Sequence, residues 1–182
     1  MIEMSTYIET KRLILRDWEE KDIEIFQSMN ASPEVRRYFP DILSYQATKN
    51  IVNQMQEVIT KQKIGLFAVE LKATNSFIGM VGINYIPENS DLNLSQLPFY
   101  EIGWRLDKTV WGNGLATEAA EAVLGYAKEQ GIEEVYSFTS EINKPSRRVM
   151  EKLEMNHIEN FLHPKVVDDE KLATHVLYHK IL

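Results

Sequence analysis

Residues 111–131 read WGNGLATEAAEAVLGYAKEQG, and the fold is decided there. Two glycines, Gly112 and Gly114, precede a helical pattern that places Leu115, Ala119, Ala122, Val123 and Tyr126 on or near one face, and Gly131 terminates it. A glycine pair between a strand and a helix gives open access to backbone amides, and the first four N–H groups of a helix have no intrahelical acceptor. Amides from Val110 to Ala116 can therefore hold a pyrophosphate, with the partial positive charge of the helix start adding to the attraction. The competing reading is a tight strand-to-helix turn and nothing more. A nucleotide P-loop is excluded, because Leu115 and Ala116 follow Gly114 where Lys and Ser or Thr would be needed. A dinucleotide-binding fold fits poorly, since its glycines follow the first strand and these follow about the fourth.

Working outward, FYEIGWRL at 99–106 is the strand that feeds this turn. Upstream, GLFAVEL at 65–71 and FIGMVGINY at 77–85 form a strand pair, and residues 86–98 form a loop long enough to contribute a binding wall. The alternation of RLILRD at 12–17 predicts the first strand. Two helices follow it: a short one from Glu20 carrying Ile23, Phe26 and Met29, and a longer one capped by Ser44 with Ile51, Met55, Val58 and Ile59 in a stripe. Downstream, VYSFTS at 135–140 is a strand, NKPSRRVMEKLEM at 143–155 a short helix, and 157–163 and 173–182 the final strands. The result is one α/β domain over residues 1–182, with a mixed sheet of six or seven strands and no interdomain linker.

Composition narrows the function classes. With 44% apolar and 26% charged residues among 182, the chain can close a substantial core. A formal charge of -7 disfavours a nucleic-acid surface and favours cationic partners. The absence of cysteine removes thiol nucleophiles, disulfides and thiolate metal sites. No apolar run approaches the roughly 18 residues of a membrane span and no leader pattern opens the sequence, so a cytoplasmic protein without membrane partners is expected. His157, His163, His175 and His179 make no metal set, because the pattern around the last two is that of a strand and a four-residue spacing does not bring them together there. No metal is expected. A Gly-x-Ser-x-Gly nucleophile elbow is also lacking.

Taken together, ETKRLILRDW at 9–18 with Asp22, SPEVRRYF at 32–39, EIGWRL, WGNGLATEA and NKPSRRVMEKLEM resemble, in order and over nearly the whole chain, the GNAT N-acetyltransferase superfamily. The branch resembled is the one containing bacterial ribosomal-protein alanine acetyltransferases. The resemblance implies a mostly antiparallel sheet splayed between its fourth and fifth strands, flanked by about four helices, with acetyl-CoA as co-substrate. The family's loop pattern of Gln or Arg, two residues, Gly, one residue, Gly or Ala falls on Thr109, Gly112 and Gly114, and Thr109 departs from it. The implied diphosphate cradle is Val110, Trp111, Gly112, Asn113, Gly114, Leu115, Ala116 and Thr117, and the implied pantetheine contacts are the backbone groups of Ile102, Gly103 and Trp104. Trp104 and Trp111 have a second reading as core packing.

The resemblance also assigns a cofactor contact to Asn143, which has a competing reading as the cap of the helix containing Pro145. It gives Ser146 the role of protonating the departing CoA thiolate, against a bland role as a helix cap. Arg147 is the candidate for the adenosine-side phosphate, against a solvated helix face. Transfer to an amine needs a base, and alternation puts Glu101 on the same side of its strand as Gly103, making it the first candidate. Glu118, in the first helical turn, reads as structural. The implied acceptor is a primary amine, either a protein N-terminus such as that of a ribosomal protein or a small molecule (amino acid, polyamine or drug). Two readings of other classes stay open: a noncatalytic acyl-CoA-binding protein, and a scaffold that forms a homodimer through a sheet edge or its C-terminal strands.

Overall fold

Burial along the chain explains the architecture of this computed structural model, which describes residues 3–182. Among the described residues there are eight strands, β1 (Thr6–Glu9), β2 (Leu13–Arg16), β3 (Leu66–Leu71), β4 (Ser76–Ile86), β5 (Phe99–Leu106), β6 (Glu134–Ser140), β7 (Asn156–Leu162) and β8 (Thr174–Ile181). The four α-helices are α1 (Glu20–Asn30), α2 (Tyr45–Gln62), α3 (Leu115–Glu129) and α4 (Lys144–Lys152). The strand beyond the seven read from the sequence is β1, whose four residues are too short to show a period and which is held by its pairing with β2.

The strands form one sheet in the order β1-β2-β3-β4-β5-β6-β8-β7. Every neighbouring pair is antiparallel except β5 and β6, which run parallel and share a single register pair, Glu101 opposite Tyr136. Beyond that point the two strands part, so the sheet is mixed, mostly antiparallel and splayed where the sequence places its fourth and fifth strands. Ser137 Oγ donates to the Ile102 carbonyl at 2.9 Å and closes the narrow end of the gap.

Strand β4 is buried from Phe77 to Ile83 without alternation, as expected of a central strand with helices on both faces. Register fixes which side chain meets which layer. Phe67 turns to α3, where its ring lies 6.0 Å from that of Tyr126, while its neighbour Leu66 turns to the opposite face and shares a cavity with Met55 and Val58 of α2. Helix α1 is pinned at its start by Asp22, which completes a capping box with Glu19 and accepts from both Nη atoms of Arg16 at 2.8 and 3.1 Å. Arg16 also donates from Nε to Glu70 at 2.9 Å, so β2, α1 and β3 are tied through one buried cation. Ser44 caps α2 through the Ala47 amide, as its position predicts.

Candidate active site

The glycine turn is built as an amide cradle. Gly112 and Gly114 take φ of 78° and 74°, left-handed values that L side chains adopt only at a cost. Among the described residues, the amides from Gly112 to Thr117 find no acceptor in the chain. Val110 and Trp111 instead donate to the carbonyls of Asp107 and Lys108, so the free donors of the expected cradle begin at Gly112. Nothing lies within 4 Å of a Cβ built at Gly112, leaving open space over those donors. A diphosphate fits this arrangement, since it supplies many acceptors to amides that a folded chain otherwise leaves unpaired.

The turn is held from the side. Glu118 accepts from Thr10 Oγ1, from the Arg12 amide and from the Arg12 guanidinium, which in turn donates to the Asn113 carbonyl at 2.9 Å. Burial raises the Glu118 pKa, but these hydrogen bonds outweigh it and hold the carboxyl below its ordinary value. Glu118 is therefore a brace between the β1–β2 hairpin and α3. Thr109, where the resembled pattern has Gln or Arg, gives its amide and hydroxyl to Asp107 and so stabilises the turn. Trp111 is 47% exposed and donates from its indole to the Leu106 carbonyl at 2.9 Å.

Past Glu101 no residue of β5 pairs with β6. The backbone of Ile102, Gly103 and Trp104 thus borders the gap, with the Ile102 carbonyl engaged by Ser137. Trp104 reaches across it, and its indole N–H donates to Ser146 Oγ of α4 at 3.3 Å. Asn143 is the cap of α4, accepting from the Ser146 amide at 3.3 Å and donating to Thr139 Oγ1 at 2.8 Å. That leaves the Ser146 hydroxyl out of capping: it accepts from Trp104 and keeps its own proton to donate. Arg147 points to the Glu141 carbonyl and the Tyr178 hydroxyl.

On the opposite face, Glu101 stands at the apex where β5 and β6 separate. Burial pushes its carboxyl up to about 8, against a hydrogen bond from Asn84 that lowers it. The residue keeps partial exposure, so solvent tempers this cost. Asn84 is its register partner on β4 and lines a cavity of about 630 Å³ together with Met80, Arg105, Arg36, Phe39 and Met55. The cavity lies between the sheet, α2 and the segment at 36–43. The loop at 86–98, expected to supply a wall, does not line it; Leu92 is buried, and Leu94 and Leu97 pack beside Phe99, Tyr136 and Leu177. Arg36 entered the sequence reading only within the stretch SPEVRRYF at 32–39, and Asn84 and Arg105 were not singled out. The available signal for the last two was their position across from, and two alternations along from, Glu101.

Among the described residues, no group of three or more His, Asp or Glu side chains is arranged to hold a metal ion, and no helix is long and apolar enough to cross a membrane.

A sheet splayed between two parallel strands, with an unpaired amide cradle at the start of the helix that follows the first of them, defines an acyl-CoA-dependent transferase scaffold. Residues 12–156 match the acetyltransferase (GNAT) domain family. The chain belongs to that family and is an acetyltransferase whose co-substrate is acetyl-CoA. The uncharacterized protein YkkB of Bacillus subtilis is 30% identical over 154 residues, covering 84% of this chain and 86% of that one. A GNAT-family acetyltransferase from Bacillus anthracis superposes with a TM-score of 0.79 at 26% identity, over 97% of this chain and 98% of the other. The ribosomal L7/L12 alpha-N-protein acetyltransferase in complex with coenzyme A has the same fold, with a TM-score of 0.78 at 14% identity, over 98% of each chain.

Proposed function

We propose that the protein acetylates a primary amine bound in the cavity between the sheet, α2 and the segment at 36–43, by direct attack of the amine on the thioester. In this reading the amides of Gly112 to Thr117 hold the diphosphate, the backbone at 102–104 aligns the pantetheine arm, and Asn143 and Arg147 border its path. Glu101 takes the proton from the ammonium form of the acceptor. A carboxyl raised toward 8 is matched to that task, since an ordinary glutamate is too weak a base to hold the proton. An amide of the same stretch of β5 faces the charge that develops on the carbonyl oxygen, and the Ser146 hydroxyl, polarised by Trp104, gives its proton to the departing thiolate and regains one from the nitrogen as the tetrahedral adduct collapses to the amide.

The observation that carries this reading is the place of Glu101: at the apex of the strand gap, with its hydrogen-bonding partner Asn84 lining the cavity. Glu101 is not itself a lining residue of the cavity; Asn84, directly opposite it on β4, is the link between the cavity and the carboxyl at the gap. A volume of about 630 Å³ falls in the range of small-molecule sites, about 300–1,000 Å³, and favours a small amine. A peptide N-terminus is the second reading, supported by the ribosomal-protein acetyltransferases among the structures with this fold. Release of CoA in a panel of amino acids, polyamines and short peptides tests both. Release by small amines alone selects the first reading, by peptides alone the second. No release above the amine-free rate with any of them sinks the proposal.

A further inference from the structure

The cavity has the wrong sign for this chain. The protein carries a formal charge of -7, yet the cavity is lined by three cationic side chains, Arg36, Arg105 and Lys165, against one carboxylate, Asp41. Arg36 is only 8% exposed. Among the described residues none of the three cations forms an ion pair, in contrast to Arg16, whose guanidinium meets Asp22, Glu19 and Glu70. Asp168, Asp169 and Glu170 line an adjoining depression that shares Pro40 and Lys165 with the cavity, and they pair with neither arginine.

The two arginines are held in place by weak acceptors and an aromatic ring. Arg36 donates from Nε to the Asp41 carbonyl at 2.7 Å, and Arg105 donates from Nη1 to Asn30 Oδ1 at 3.0 Å. Both guanidinium groups lie over the Phe39 ring, at 4.3 and 4.8 Å from its centroid. Two like charges share one aromatic ring while several of their donors, including the buried Arg105 Nε, have no acceptor in the chain. Burial and the charge of Arg36 lower the Arg105 pKa to about 10, which still leaves it cationic at neutral pH.

A buried cation such as Arg36 without a counter-charge is costly, and the half-buried Arg105 beside it adds to that cost. An anion entering the cavity would reverse that cost: it supplies the missing acceptors in a forked geometry that guanidinium groups match. The remaining walls, Leu43, Ile51, Met55 and Met80 among them, are apolar, which lowers the local dielectric and strengthens such a pair. Arg105 and Glu101 lie on the same face of β5, four residues or about 13 Å of strand apart, so one small molecule can present its amine toward Glu101 and its anionic group toward the arginines.

We infer that the acetyl acceptor is a small primary amine that also carries an anionic group, a carboxylate or a phosphate, which Arg36 and Arg105 recognise. This rests on the proposed role of the cavity as the acceptor site and adds the chemical class of its occupant. The test uses matched pairs: the L-amino acids against their amides, and phosphoethanolamine against ethanolamine. Each is titrated calorimetrically into the CoA-loaded protein and assayed for acetylation.

At least one charged member should bind and turn over about ten- to a hundredfold better than its neutral partner, the discrimination of a desolvated charge-assisted contact. The carboxylate pairs and the phosphate pair tell the two sources apart. Arg36→Gln should collapse the ratio toward one through KM rather than kcat, and Arg36→Lys should restore part of it. Charge-selective binding without turnover would leave Arg36 and Arg105 as an anion site but overturn the acceptor role of the cavity, and with it the inference about the acceptor. Turnover with equal efficiency in every pair, or no charge-selective binding in any, overturns the inference.

Discussion

At the residue scale, the proposed role of Glu101 as the base makes the chemistry depend on pH. Its carboxyl keeps a proton in the folded chain up to about 8, so the base form populates as pH rises through that value, and kcat/KM should rise with it. Glu101→Gln should lower kcat by about 10²- to 10⁴-fold and remove the inflection near 8 from the pH profile. An unchanged profile would show that the proton leaves by another route. The same shift bears on stability with a definite sign. In the unfolded chain the group ionises near the ordinary glutamate value, so between there and about 8 the folded state binds more protons, and stability falls as pH rises across that window. Glu101→Gln should therefore raise the melting temperature at pH 9 more than at pH 5. For Ser146 the hydroxyl stands outside the cap, with Trp104 as its donor. Ser146→Ala should cost about tenfold in kcat while leaving CoA affinity within about twofold, separating a role in chemistry from one in binding.

At the scale of elements, two local constructions hold the site in register. The first is the tie of β2, α1 and β3 through Arg16 and Asp22, which are 1% and 0% exposed. Asp22→Ala removes both the capping box and the most deeply buried of the three carboxylates around the Arg16 guanidinium, and should destabilise by about 3–5 kcal/mol in urea unfolding. A loss of about 1 kcal/mol would mean that only the cap was at stake. The second is the glycine turn before α3. A methyl at Gly112 meets nothing within 4 Å, so Gly112→Ala should cost the fold only the strain of a left-handed alanine, about 1–2 kcal/mol. CoA affinity should fall by more than that strain implies, because the methyl narrows access to the amides after it. Equal losses in both quantities would argue that the turn is merely structural. Of the two, the glycine turn was the more legible from sequence. A helix start, its cap and its glycine pair are set by residues a few positions apart, and Ser44, Pro145 and the Gly112–Gly114 pair stand where the pattern puts them, whereas the tie through Arg16 joins Asp22 to Glu70 across 48 positions of chain.

For the whole molecule, the proposed path of the cofactor runs from the cradle at α3 through the gap between β5 and β6 to the cap of α4, so on that reading binding should stabilise the native state as a unit. With CoA at a hundred times its dissociation constant the gain is about 2.7 kcal/mol. At this chain length that is roughly 5–11 °C in melting temperature, readable by calorimetry, and a shift below about 1 °C at millimolar CoA would contradict the cradle. The negative net charge suggested cationic partners, but the interior of the cavity reverses that sign. Within a Debye length of about 8 Å the local arginines outweigh charges spread over the surface. Composition averages over the molecule, whereas recognition is decided inside one cavity.

The amino-acid sequence by itself determined the helices, seven of the eight strands, the amide-rich turn and the glutamate at the head of β5, because each is written in hydrophobic period, capping and glycine placement over short stretches. Tertiary structure alone decided that β8 slips between β6 and β7, that β1 becomes a strand at all, and that Asn84, Arg36 and Arg105 gather in one cavity beside Glu101. Those placements depend on pairing between segments tens of residues apart. Such pairing is fixed by the burial available to the entire sheet, and no local pattern carries it.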